Sequence, residues 1–293
     1  VKSHVQNIQS LRMLSQVFSP PVFHKIVREN DFLPFEKKVA KYISSHNEYS
    51  NLDIIKFLYK SLQKNYRCEY IYKNNITLDI IKNYSLSETL AINELKVGAS
   101  KADLVLLNGA VRIYEIKTEL DGLSKLSKQL CDYQKFADKV YVVTDEKNAK
   151  KIISEYATTN IGVISLDAKN KLNILKEAES NSLLFDFETI FKIIRKQEYL
   201  DLVISNFGSL PDVPNTKIFK ECYSLLSQLE ITDFQRQVLN KLKERKLQQP
   251  SLLKSNNTPK ELKHICNSLD LNQQEYQNLY HFLASKNVCT NPI

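Results

Sequence analysis

Apolar residues recur three and four positions apart near the start of the chain, two apart or in short runs through its middle, and three and four apart again towards its end. The first and last patterns suit helices with one buried face, and the middle pattern suits strands. Helices are expected over 39–43 and 52–62, with Pro20, Pro21 and Pro34 punctuating that stretch. Further helices are expected over 183–202, 217–229, 234–247 and 275–285, separated by linkers at 206–214 and 248–259 that are rich in Pro, Asn and Ser. The chain thus divides into an N-terminal helical region (1–75), a mixed core (76–168) and a C-terminal helical region (169–293). No internal repeat or low-complexity tract is visible.

The core reads in finer detail. Strands are expected at 91–97 (AINELKV), 102–107 (ADLVLL) and 111–118 (VRIYEIKT), the last two flanking the hairpin signal Asn108-Gly109. Leu123, Leu126, Leu130, Tyr133 and Ala137 then form one stripe of an amphipathic helix. A buried-type strand at 139–144 (KVYVVT), a helix at 146–157 and a strand at 161–166 (IGVISL) complete the order. Hairpin followed by crossover units means an α/β fold whose mixed sheet is covered by helices.

Composition adds a partner class and removes several others. The 293 residues are 43% hydrophobic and 25% charged, which fits a folded chain with a sizeable core. Five glycines are few for this length and favour helices over a loop-rich sandwich. A formal net charge of +8 attracts polyanions, so nucleic acid or an anionic surface is the partner to expect. Cys68, Cys131, Cys222, Cys266 and Cys289 form no CxxC pair, and their odd number speaks against a disulfide framework; reduced thiols of a cytoplasmic protein are the simplest reading. No apolar run is long enough for a membrane span. Val1 opens the chain, so its start reads as trimmed or internal to something longer, and a removed leader is left open. His4, His24, His46, His264 and His281 form no HxxxH or HxxE cluster, and there is no GxxxxGK[ST] loop, which disfavours zinc, HNH and ATP-driven chemistry.

The candidate chemistry lies in the hairpin. Phosphodiester hydrolysis needs a bound cation to steady phosphate charge and activate water, and Mg²⁺ prefers a few clustered carboxylates. On a strand, Glu115 and Lys117 share a face because they are two apart. The ExK or DxK tripeptide occurs seven times, beginning at Glu36, Glu94, Glu115, Asp145, Asp167, Glu244 and Glu261, so the tripeptide itself says little. The copy at Glu115 differs in context: it ends a strand, follows Asp103 across a tight turn, and precedes a helix and a crossover strand. A solvated sheet face is the alternative reading of Glu115 and Lys117. A strict two-residue turn at Asn108-Gly109 would pair Asp103 with Tyr114 and point it away from Glu115, so an odd-length loop or a bulge near 108–110 is required for the site.

The stretch 93–145 (NELKVGASKADLVLLNGAVRIYEIKTELDGLSKLSKQLCDYQKFADKVYVVTD) resembles the core of the PD-(D/E)xK nucleases, within which it is similar to a bacterial and phage family of nuclease-like proteins. The shared features are an upstream EL, an AD strand, a YEIKT-x-x-D strand end and a Q-x-x-x-Y helix, extending to EYIYKN at 69–74 and IIRKQEYLDLV at 193–203. The PD dipeptide is relaxed here to Ala102-Asp103. The resemblance implies a restriction-endonuclease-like core in which Asp103, Glu115 and Lys117 are catalytic. Glu94, Asp103, Glu115 and the Ile116 carbonyl would hold Mg²⁺ or Mn²⁺, and Gln129, Tyr133, Lys101 and Lys125 would meet the substrate, DNA before RNA. A phage-defence or mobile-element setting follows from the resemblance alone.

Several of these residues also have plainer readings. Tyr133 equally completes the apolar stripe, whereas Gln129 falls just off it. Asp121 suits a helix cap better than a second metal. Lys96 and Lys128 join Lys101 and Lys125 as phosphate contacts, while Lys241, Lys243, Arg245 and Lys246 read as a solvated face at a helix end. Tyr66, Tyr70 and Tyr72, interleaved with Arg67 and Lys73, suit core packing better than base stacking. A non-cleaving nucleic-acid-binding module and a protein-interaction module or homodimer remain the rival expectations.

Overall fold

Alternate residues of the central strands bury on opposite faces of one sheet. In β4 (Lys139–Asp145), Val140 and Val142 enter one apolar cluster while Tyr141 and Val143 enter another. In β3 (Val111–Lys117), Val111 and Ile113 join the first cluster and Ile116 the second. Strands buried on both sides need cover on both sides. The computed structural model, which describes residues 8–40 and 49–286, supplies it as three layers.

The middle layer is a six-stranded mixed sheet of order β1-β2-β3-β4-β5-β6, with β1 (Leu90–Val97), β2 (Ser100–Leu107), β5 (Gly162–Leu166) and β6 (Leu172–Lys176) around the central pair. The β3–β4 and β4–β5 pairs are parallel and the others antiparallel. The parallel pairs are bridged by α6 (Leu126–Gln134) and α7 (Glu146–Glu155), as crossover geometry demands. Those two helices share a face with α8 (Phe187–Phe191), α9 (Lys196–Phe207), α10 (Asn215–Leu226) and α11 (Ile231–Lys243). The other face is covered by α1 (Ile8–Ser15), α2 (Pro20–Glu29), α3 (Leu33–Val39), α4 (Asn51–Asn65) and α5 (Glu69–Asn83), joined by α12 (Pro250–Lys254), α13 (Lys263–Leu269) and α14 (Gln273–Ala284).

The α/β class and the helical regions at both ends are as expected, but the three-part division along the chain is not how the layers form. The position between residues 75 and 76 lies inside α5, and β6, beyond residue 168, completes the sheet. The C-terminal region splits between faces: its last helices return to pack on the N-terminal ones, where Phe282 of α14 meets Phe23 and Phe35 edge-on. The expected helix at 183–202 is a 3₁₀ turn at Ser182–Leu184, then α8, then α9, because Asp186 and Arg195 each start a new helix. The expected linker at 248–259 contains α12, opened by Pro250 at a first-turn position that needs no amide donor. Of the expected helix at 39–43, residues 41–43 lie outside the described residues.

Candidate active site

Two strands part company at the site. In the hairpin, Leu107 pairs with Val111 and Leu104 with Tyr114, so the loop is the three residues Asn108, Gly109 and Ala110. Gly109 takes φ 63° there, and the Asn108 amide donates to the Ala110 carbonyl at 3.1 Å. This is the odd-length connection that the site required. One step beyond Leu104 and Tyr114, Asp103 stands across from Glu115. From that point β2 pairs onward with β1 alone and β3 with β4 alone. The Asp103 carboxylate fills the fork, its Oδ2 accepting the Ile116 amide at 2.8 Å.

A second irregularity lies on the β1 side. Leu90 and Val97 are seven apart yet bury in the same cluster, as do Ala102 and Val105, which are three apart. Strict alternation forbids both, so the pleat reverses on both strands between those positions. The reversal falls at Glu94, which takes φ 59°, a left-handed conformation that costs about 1 kcal/mol or more for a residue with a side chain. Glu94 lies opposite Asp103, between the pairs Asn93–Leu104 and Leu95–Ala102.

Helix α5 brings two further residues to this point. Carboxylate oxygens of Glu69, Glu94 and Asp103 all lie within 4.8 Å of one another. Among them sits the ammonium of Lys73, 2.5 Å from Glu69, 2.8 Å from Glu94 and 3.6 Å from Asp103. Glu69 and Lys73 are four apart on a helix, hence on one side of it; that spacing within EYIYK is the signal that could have marked them. Burial works against the Lys73 charge, but Glu69 and Asp103 outweigh it and hold the group above the ordinary lysine range. Glu94 is also bound by Lys101 at 2.5 Å, and the two lysines overcome its burial and lower its pKa. Burial, with the neighbouring charge of Glu115, raises Asp103 to about 7, against the pull of Lys73.

Glu115 stands outside that acidic triplet and has its own shell. Its Oε1 accepts from Lys117 at 2.7 Å and its Oε2 from the Tyr133 hydroxyl at 2.8 Å. The Lys117 ammonium also donates to Gln129 Oε1 at 2.9 Å, and the Tyr133 hydroxyl lies 2.9 Å from the Lys101 carbonyl. Burial and the charge of Glu115 hold the Tyr133 phenol protonated, well above its ordinary range. Gln129 and Tyr133, four apart on α6, therefore both reach the ExK pair, and Tyr133 is at the same time buried in the core.

The donor set suits a hard cation. Carboxylate oxygens are the ligands that Mg²⁺ and Mn²⁺ prefer, and a buried acid whose proton affinity is raised by another acid gains from a cation nearby. The chain already supplies a cation of its own in Lys73. Of the expected metal ligands, Glu94 and Asp103 come together with Glu69, and Glu115 lies beside them, bound to Lys117.

Other expectations resolve simply. Asp121 caps the turn before α6, accepting from the Thr118 amide at 2.9 Å and hydroxyl at 2.8 Å, and α6 itself starts after Lys125. Lys96, Lys101, Lys125 and Lys128 are exposed. Tyr70 and Tyr72 are buried and serve the core. In the expected basic face, Lys241 pairs with Asp201 and Glu244, and Arg245 grips Glu198. His264 is buried beside Thr77, where burial lowers it to about 3.

The family model for bacteriophage P4 protein cII matches residues 62–269, more than half of the chain. The chain belongs to the bacteriophage P4 protein cII family. The matched part runs from the end of α4 to the end of α13, so the family region holds the whole sheet, α5, the fork and every residue of both shells. Protein cII of Enterobacteria phage P4 is 26% identical over 172 residues, which are 57% of this chain and 63% of that protein. The chain thus spans less than two thirds of the length of that relative. Among solved structures, a protein of unknown function from Silicibacter pomeroyi, SPO1766, aligns with a TM-score of 0.29 at 13% identity over 46% of this chain and 88% of its own. Among the described residues no helix is long and apolar enough to cross a membrane.

Proposed function

We propose that this chain is a metal-dependent nuclease of the PD-(D/E)xK type, hydrolysing phosphodiester bonds in DNA. The observation that carries the reading is the fork: a three-residue loop sets Asp103 across from Glu115, with the Lys117 ammonium 2.7 Å from that glutamate. In this reading Asp103, Glu115, Glu94 and Glu69, with the Ile116 carbonyl, would hold Mg²⁺ or Mn²⁺. When bound, the cation supplies Lewis-acid stabilisation of phosphate charge and a more acidic water.

The chain's own groups do the rest. Gln129 and Glu115 fix the Lys117 ammonium beside the acids, so its positive charge needs little reorganisation as charge grows on the phosphate. Tyr133 stays protonated and orients Glu115 through its second oxygen. The exposed Lys101 and Lys125 flank the site and are suited to phosphates of the strand. A setting in a phage or other mobile element accords with the phage relative.

One observation favours the rival reading, a module that keeps this architecture and binds nucleic acid or protein without cleaving. Lys73 and Lys117 already neutralise the acids as ion pairs. Plasmid and oligonucleotide cleavage with Mg²⁺ and with Mn²⁺, beside Lys117→Ala and Asp103→Asn, separates the two. Cleavage that both variants abolish supports the nuclease; wild-type protein that binds DNA yet leaves it intact with either ion supports the rival.

A further inference from the structure

A cavity lies on the sheet face covered by α5, at the opposite end of β3 from the fork. It measures about 480 Å³ and is enclosed by the C-terminal half of α5, the starts of β3 and β4, and β6. Arg112 lies five residues before Lys117 on the same strand, hence roughly 16 Å away, and its side chain points to the face opposite that of Lys117. The cavity is therefore separate from the fork.

Its floor is ordered in two rows. Arg112 and Lys139 are cross-strand partners in the first row, and Tyr114 and Tyr141 are partners in the second, two residues further along the same strands. The tyrosine rings lie 5.7 Å apart at 18° and stack on each other, Tyr141 buried and Tyr114 half-buried at the cavity wall. The Tyr141 hydroxyl is held by Glu177 at 2.9 Å. Arg112 Nη1 is buried and has no hydrogen-bond partner. A buried charged donor without an acceptor is costly, and a guanidinium is the side chain best matched to a carboxylate or phosphate.

We propose that this cavity binds a nucleoside monophosphate, its phosphate on Arg112 and Lys139 and its base against the Tyr114 ring. The volume is within the range of small-molecule pockets. The order of the rows matches a ligand with an anionic end and a planar end a few ångströms apart. Asp79 and Glu177, also in the lining, offset the two cations. They offer acceptors to the amino and hydroxyl groups of base and sugar, and they disfavour the extra charge of a di- or triphosphate. The inference does not depend on the nuclease reading and survives if no cleavage is found.

Isothermal titration of the full chain in EDTA tests it, using AMP, GMP, CMP and UMP, their nucleosides, and inorganic phosphate. At least one monophosphate should bind clearly better than its nucleoside and than phosphate alone. Arg112→Met should weaken it by about 10- to 100-fold, as expected for a lost charge-assisted contact. Thermal melting checks that this variant folds. Asp103→Asn should leave the affinity unchanged. The proposal is overturned by no monophosphate bound at millimolar concentration, by equal affinity in Arg112→Met, or by loss in Asp103→Asn instead. Phosphate binding as tightly as the nucleotide also overturns it, leaving a simple oxyanion site.

Discussion

Asp103 stands where the β2–β3 ladder would continue, and its Oδ2 accepts the Ile116 amide at 2.8 Å in place of a main-chain carbonyl. A side chain used as a ladder partner keeps the strands apart and holds a carboxylate, half-shielded from water, at their divergence. Its acidity follows from that placement: burial and Glu115 raise it to about 7 from an ordinary 3.8.

The first prediction concerns pH. Between about pH 4 and 7 the folded chain holds the Asp103 proton more tightly than the unfolded chain does. The contribution to stability is therefore present at the acid end of that window and lost as pH rises through 7. In EDTA, Asp103→Asn should flatten the fall in melting temperature between pH 5 and 8 and should melt above wild type at pH 8. Identical pH profiles for the two proteins would show that Asp103 titrates in its ordinary range.

The second concerns Lys73. Replacing it with Met leaves Glu69, Glu94 and Asp103 facing one another without a cation. Two of these acids are about half exposed, so the loss should be modest, about 1–3 kcal/mol in EDTA rather than the full cost of a broken buried pair. Millimolar Mg²⁺ or Ca²⁺ should then raise the melting temperature of Lys73→Met by more than it raises that of wild type. An equal response in both proteins would mean that no cation replaces the ammonium.

The sequence makes the sheet legible for a physical reason. Alternation and short β-branched runs report burial on two faces, so 91–97, 102–107, 111–118, 139–144 and 161–166 all fall on real strands. The need for an odd loop after Asp103 is also legible, because a register slip of one residue changes which face a side chain takes. Glu69 and Lys73 are harder to find. They lie on a helix whose residues bury nearly all round, so periodicity gives no sign that one side meets a strand twenty residues later. Likewise β6 has mostly half-exposed residues as an edge strand, and its pattern carries little hydrophobic signal. The return of α13 and α14 to the N-terminal helices is a long-range choice that no local spacing encodes.

Tyr133 offers a test of the orienting shell. Tyr133→Phe keeps the ring that fills the core and removes only the hydroxyl shared by Glu115 and the Lys101 carbonyl. Stability should fall by about 1 kcal/mol. If the site cleaves DNA, kcat should drop by about tenfold with KM nearly unchanged, because the hydroxyl orients a carboxylate and meets no substrate. A change confined to KM would move Tyr133 from orienting Glu115 to holding the strand.

The cluster near the end of α11 separates charge used for folding from charge used for binding. Arg245 donates to Glu198 through Nε and Nη2, both at 2.6 Å, and so clamps α11 to the start of α9. Glu198 is itself the capping residue of α9, accepting the Arg195 amide at 2.6 Å, and the guanidinium overcomes burial to keep it ionised. Such a bidentate, largely shielded pair should matter to stability: Arg245→Met should cost about 1–2 kcal/mol, and that cost should shrink as pH falls and Glu198 becomes protonated. Because this cation is already engaged, its removal should leave the salt dependence of DNA binding unchanged. Lys125→Ala and Lys128→Ala, at exposed lysines near the fork, should each lower the slope of log affinity against log salt by about 1. If Arg245→Met lowers that slope and the two lysine variants do not, the nucleic-acid surface lies on the α9–α11 side and not beside the fork.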